Sequence, residues 1–150
     1  MTIGVNATAP LSRGEIQLTS SDPLAPPIIR PNYLDNELDL QTMIEGVELA
    51  REIANTNPLT NIITDELLPG SRRDNHAKIA KSIARYSQTL YHPCGTCAMG
   101  RDKTSVCDEQ FRVRGIEALQ IIDASVLPLI PTGNPSVMLL MLSMLAESYE

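Results

Sequence analysis

The sequence predicts an α+β chain. Three observations carry that class: a period-two alternation early in the chain, amphipathic helical stripes in its middle, and a buried-type strand followed by a nearly all-apolar helix at its end. The 150 residues are 43% hydrophobic and 20% charged, close to the globular average, so a core can be buried and wholesale disorder is excluded.

Residues 3–20 read as two short strands around the turn signals Pro10, Ser12 and Gly14, with Glu15, Gln17 and Thr19 alternating against Ile16 and Leu18. The prolines from Pro23 to Pro31 fix φ and remove N–H donors, which predicts an extended connection without regular pairing. A helix is predicted from Asn36 to Ala54. Leu40, Met43, Ile44, Val47, Ala50 and Ala54 share one stripe, and Asn36 serves as N-cap. Asn57-Pro58 breaks it, Ile62–Leu68 reads as a short helix stopped by Pro69-Gly70, and Asp74–Gln88 as a third helix.

Beyond Leu90 the pattern changes to loops and short strands, with strand candidates at 105–107, 111–113 and 119–122. The last helix is predicted from Pro135 to about Glu147, capped by Asn134, with Pro135 at a position where its missing N–H costs nothing. It is apolar nearly all round, which predicts burial on several sides. In so small a chain, that calls for a neighbour the chain does not supply.

Charge and composition exclude some functions. Twelve basic against 18 acidic residues give a net charge of −6, and the longest basic cluster is Arg72-Arg73, which disfavours nucleic acid as a partner. No Trp, one Phe and four Tyr offer no stacking platform. Cys94, Cys97 and Cys107 are not the framework of a small secreted protein, and no secretory leader or stretch of the roughly 20 apolar residues needed to span a bilayer is seen. A cytoplasmic location is the expectation.

The densest constellation is Tyr91-His92-Pro93-Cys94-Gly95-Thr96-Cys97-Ala98-Met99-Gly100. His92, Cys94, Cys97 and Cys107 could together hold a structural metal, which would make the chain a small non-catalytic module. Cys94 and Cys97 could form a redox pair, although Gly95-Thr96 reads as loop rather than the helix start that lowers a thiol pKa. His92 could instead be a base on a loop stiffened by Pro93 and Gly95. Arg101-Asp102 stand where a phosphate loop needs Lys and Ser/Thr, and none of the eight glycines builds a G-x-G-x-x-G. Asp123 ends the strand candidate at 119–122, a common ligand-contacting position in α/β folds. The free N–H groups of the helix beginning near Ser136 form an anion-favouring end.

The order H-P-C-G-T-C-A-M-G, then V-C-D-E-Q-F-R-V-R-G-I-E-A-L-Q-I-I-D-A-S-V-L-P, then G-N-P-S, resembles the carboxyl-terminal segment of the glucose–methanol–choline (GMC) flavoprotein oxidoreductases. Ser12-Arg13-Gly14-Glu15-Ile16, Ser21-Asp22-Pro23 and Pro31-Asn32-Tyr33-Leu34 resemble the family's substrate domain. The choline and alcohol dehydrogenase branches look most similar. The resemblance implies FAD as cofactor and hydride transfer from a primary alcohol such as choline to the flavin. It makes His92 the base and Asn134 the second active-site residue. Asp123 and Ala124 are implied near the cofactor's phosphates and ribityl chain, and Pro135 and Ser136 beside the flavin's pyrimidine ring; no metal site is implied, and Cys94 and Cys97 become packing residues.

The fold so implied is part of an antiparallel sheet with helices on one face over residues 1–90. Residues 91–150 then carry the active-site loop and a strand and helix returning to the FAD-binding domain. The partner expected is the N-terminal FAD-binding part, whose Rossmann unit this sequence lacks. Without it, the apolar flank of the last helix is expected to stay exposed or to be covered by self-association.

Overall fold

The computed structural model describes residues 1–149 and is α+β, as expected. Two three-residue strands, β1 (Glu15–Gln17) and β2 (Ile28–Arg30), pair antiparallel. Three α-helices follow: α1 (Glu37–Ala54), α2 (His76–Tyr86) and α3 (Ser136–Glu147). Single 3-10 turns lie at Leu59–Asn61 and Ala124–Val126. The chain divides into two compact units, Met1–Gly14 with Ile29–Gln88, and Glu15–Ile28 with the chain from Thr89 onward.

In the first unit, α1 and α2 form because their caps and stripes agree. The Asn36 side chain accepts the Leu38 N–H at 2.9 Å and the Asn75 side chain accepts the Lys78 N–H at 3.1 Å, each satisfying a donor the helix leaves orphaned. Ile44, Ile79 and Ile83 are buried where the helices pack, with Leu40, Met43, Val47 and Ala80 around them. Each such aliphatic side chain stabilises by about 1.5–3 kcal/mol relative to exposure. Asp39, 5% exposed, is satisfied by the N–H groups of Leu11 (2.8 Å) and Ser12 (2.7 Å) and by the Ser12 hydroxyl (2.5 Å). That carboxylate therefore fastens the amino-terminal segment to α1.

In the second unit the core is Cys107, Phe111, Val126 and Ala146, with Cys97, Met99, Val113, Ile121, Leu142 and Tyr149 against it. The Asp108 carboxylate accepts the N–H groups of Gln110 (2.8 Å) and Arg112 (3.0 Å), closing a tight turn that drives Phe111 inward at φ 64°. Only Ala146 of α3 is fully buried, whereas Val137, Leu140, Met141 and Met144 are each more than 60% exposed. The helix predicted to need burial on several sides thus finds cover on one.

Some elements depart from expectation. Only β1 forms in the stretch read as two strands, and β2 forms inside the stretch read as unpaired. Pro27 and Pro31 lie outside Ile28–Arg30, whose three N–H groups are intact, so the prolines bracket the strand rather than forbid it. The turn after α1 tightens at Leu59–Asn61, directly behind Pro58, and Ile62–Leu68 makes no helix. The strand candidates near 105–107, 111–113 and 119–122 shrink to single bridges, Met99 with Cys107, Cys107 with Val113 and Arg112 with Gln120. The tight turn at 108–112 leaves its flanks room for little more, and among the described residues no strand adjoins Leu119 and Ile122, which are 44% and 40% exposed.

Candidate active site

The loop carrying His92 is shaped by its backbone. Tyr91 has φ 62° and donates its N–H to the Thr89 hydroxyl at 2.9 Å, and Gly95 has φ 88°. A left-handed position of this kind is strained for any residue with a Cβ, and a Cβ at Gly95 would also lie 3.4 Å from the Leu127 carbonyl oxygen. Beyond the turn, the Cys97 N–H donates to the Ser125 carbonyl and the Met99 N–H to the Val126 carbonyl, both at 2.9 Å. The loop is thus stitched to the 3-10 turn that follows Asp123.

That turn is held by an aspartate clamp. Asp123 Oδ1 accepts the Ser125 N–H at 2.8 Å and its hydroxyl at 2.5 Å. The hydroxyl bond, then the backbone bond, holds the Asp123 carboxyl below the usual aspartate range against the opposing effect of burial. Val126 and Leu127 follow directly into the core.

The entry to α3 repeats the device. Pro135 already has helical geometry (φ −70°, ψ −10°) and its carbonyl accepts the Leu139 N–H at 2.9 Å. Asn134 Oδ1 accepts the Ser136 N–H at 3.0 Å and the Ser136 hydroxyl at 2.5 Å, so its side chain satisfies the first helical N–H; α3 starts at Ser136, one residue later than predicted, with Pro135 rather than Asn134 at the cap position. The other end of the same amide meets the loop: Asn134 Nδ2 lies 3.3 Å from His92 Nε2. His92 is half-buried and Asn134 exposed, so the pair faces outward.

The chemistry of this contact is directional. An amide –NH2 only donates, so His92 Nε2 can take the acceptor role in this contact, a role it has in the tautomer that carries its proton on Nδ1. A neutral imidazole lone pair beside an amide N–H can take a proton from a hydroxyl while a donor steadies the oxygen left behind. Nε2 has a single lone pair, so a hydroxyl held there would take the place of the Asn134 donor, which would turn to the hydroxyl oxygen.

Of the residues singled out from sequence, the structure brings His92 and Asn134 together, with Pro135 and Ser136 adjoining them along the chain. Asp123 and Ala124 connect to the His92 loop through the carbonyls of Ser125 and Val126. The metal alternative finds no ligand set: among the described residues no three His, Cys, Asp or Glu side chains gather so as to hold an ion. Cys107 is fully buried, and burial first, then the neighbouring Cys97 and Asp108, push its thiol pKa up, which suits packing rather than ligation. Ser125 and the Ser136 hydroxyl bond to Asn134 were not anticipated. The signal was there, because D-A-S and N-P-S both place Ser two residues after an Asx side chain, the spacing of an Asx turn.

Residues 10–143 match the family model described as GMC oxidoreductase. The chain is 38% identical over 133 residues to an alcohol dehydrogenase [acceptor] of Pseudomonas putida, covering 87% of this chain and 24% of that protein. It is 40% identical over 123 residues to an oxygen-dependent choline dehydrogenase of Klebsiella pneumoniae, covering 82% of this chain and 22% of that one. Among solved structures it is similar to pyridoxine 4-oxidase from Mesorbium loti, with a TM-score of 0.86 and 32% identity over 95% of this chain and 28% of the other. Formate oxidase from Aspergillus oryzae RIB40 is similar at a TM-score of 0.85 and 27% identity, covering 93% of this chain and 25% of the other. The chain therefore spans about a quarter of the length of the proteins it matches.

Proposed function

The chain belongs to the GMC oxidoreductase family, and on that premise we propose that it is the carboxyl-terminal part of an FAD-dependent enzyme oxidising the CH–OH group of a primary alcohol such as choline. On this reading residues 1–90 belong to the substrate-binding domain, and 91–150 form the active-site loop and the return to the FAD-binding domain. The observation that carries it is the facing pair of His92 Nε2 and Asn134 Nδ2. Relatives named as alcohol and choline dehydrogenases support the substrate class.

The residues present fit a flavin. Pro135 has no N–H and the Ser136 N–H is used by Asn134, but no hydrogen bond among the described residues uses the N–H of Val137 or Met138. Those two donors stand at the positive end of α3, an arrangement that suits an electron-rich ring edge. The start of α3, with Pro135 and Ser136, would hold the flavin ring, and Asp123 and Ala124 the more distant part of the cofactor. When bound, the flavin supplies the acceptor for the carbinol hydride.

The chain's own residues then do the following. His92 Nε2 receives the hydroxyl proton of the alcohol, and the imidazole becomes imidazolium. Asn134 Nδ2–H donates to the same oxygen as its charge grows, and both groups hold the alcohol in one orientation. The Gly95 turn and the bonds from Cys97 and Met99 keep the His92 loop in place, so little reorganisation is needed when the alcohol arrives.

The test is His92→Ala in a flavin-loaded full-length protein carrying this chain. Removing a positioned base is expected to cut turnover by about 100-fold or more while the flavin is retained. Undiminished turnover would overturn the assignment of His92.

A further inference from the structure

We propose that Ser136 is a positioning residue for this site, locking the Asn134 amide so that its –NH2, and not its oxygen, faces His92 Nε2. The proposal rests on the alcohol-oxidising reading for its catalytic meaning, while its geometry stands apart from it.

An asparagine amide is nearly symmetric in shape, and its two ends differ only in what they can bond. Turned one way, Asn134 offers His92 a donor and leaves Nε2 as a lone pair able to take a proton. Turned the other way, it offers an acceptor and selects the Nε2–H tautomer, which cannot act as a base at that atom. The choice between the two is made on the far side of the amide. There Oδ1 accepts from the Ser136 N–H at 3.0 Å and from the Ser136 hydroxyl at 2.5 Å. A flipped amide would set its –NH2 against the Ser136 N–H, donor against donor.

The N–H gives the direction and the hydroxyl gives the hold. Any non-proline residue at position 136 supplies the N–H, as an ordinary helix cap requires. The hydroxyl is the element that capping does not need. It places a second donor on the same oxygen, which fixes rotation about the last side-chain torsion and hence the aim of Nδ2 across 3.3 Å to the imidazole. Asp123 and Ser125 make the same clamp with matching geometry, 2.8 Å and 2.5 Å, but with a carboxylate that has no orientation to choose. Of these two clamps, the one at Asn134 is built on a side chain whose two ends differ chemically.

The experiment is a nitrogen-15 NMR measurement of the His92 tautomer in the chain without cofactor or alcohol, assigned with a His76→Gln variant because His76 is the other histidine. The parent sequence is expected to show predominantly the Nδ1–H tautomer. Ser136→Ala is expected to shift His92 toward the Nε2–H form that a free histidine side chain prefers, and Ser136→Thr, which keeps a hydroxyl, to restore the parent spectrum. In flavin-loaded full-length protein the same series should lower kcat about 5- to 10-fold for Ala, as expected for one lost hydrogen bond, with KM unchanged and with recovery in Thr. An unchanged tautomer in Ser136→Ala, or no recovery in Ser136→Thr, would overturn the proposal. Because the tautomer is read with no reaction running, that failure is distinct from a failure of the alcohol-oxidising reading, which the His92→Ala turnover measurement reports.

Discussion

His92 and Asn134 are 42 residues apart in sequence and meet at 3.3 Å, imidazole Nε2 against amide Nδ2. The contact joins two rigid supports: a loop turned at Gly95 and stitched to residues 125 and 126, and the first turn of α3. One amide serves both ends, its oxygen closing the helix and its nitrogen facing the imidazole. Helix capping and site geometry are therefore the same set of bonds.

That sharing makes Asn134→Ala costly in two ways. Loss of the cap should destabilise the second unit by about 1 kcal/mol, read as a lower urea midpoint with unchanged slope. Loss of the donor should lower the flavin reduction rate in the full-length protein by about 100-fold, the usual effect of removing one oxyanion donor. A variant that loses only stability would contradict the dual role.

Gly95→Ala should disturb the loop without touching any side chain of the site. A Cβ at φ 88° costs about 1–2 kcal/mol, and relief of that strain moves the segment that begins with His92. Thermal unfolding of the variant should show the loss, and its His92 imidazole signals should shift. Parent-like stability would mean the loop tolerates the left-handed strain.

Acid should loosen the first unit through Asp39. Burial works to raise its pKa, but the Leu11 and Ser12 bonds and the Arg13 charge outweigh it, so the folded pKa lies below the ordinary value. A depressed folded pKa gives stability that is fully present above the unfolded value of about 3.9 and is lost as pH falls through the folded one. Asp39→Asn, with one end of its amide a donor, should cost about 2–3 kcal/mol at pH 7 and progressively less below pH 4. Urea titrations of both proteins at pH 7 and pH 3 check this; a pH-independent difference would contradict it.

The exposed flank of α3 predicts association of the isolated chain. Leu140 and Met141 are 64% and 65% exposed, next to Val137 and Met144, on a helix whose inner side reaches the core through Ala146 and Leu142. Sedimentation should show species larger than the monomer, and Leu140→Glu should return the chain to the monomer with little loss of stability. A parent chain already monomeric at high concentration would contradict the prediction.

What could be read in advance follows from how local each feature is. The helices α1 and α2 were legible because the Asn36 cap and the stripes through Ile44, Ile79 and Ile83 lie within a few turns, whereas the Asn75 cap that starts α2 was not read. β2 was hidden by its bracketing prolines. The strands expected near 107, 113 and 120 were overread because apolar content shows that a segment wants cover, not whether a partner strand adjoins it. His92 and Asn134 were visible as residues through the family resemblance. Their facing geometry, and the Ser136 bonds that aim the amide, depend on a fold that brings distant segments together and on which end of the amide points where.

The most direct test of the central claim is a double-mutant cycle on the rate of flavin reduction by alcohol in the full-length protein, with His92→Ala, Asn134→Ala and the pair. Residues that act as one unit on one proton and one oxygen should be strongly non-additive, so the double variant should be little slower than His92→Ala alone. Losses that simply multiply would show two independent residues and contradict the account.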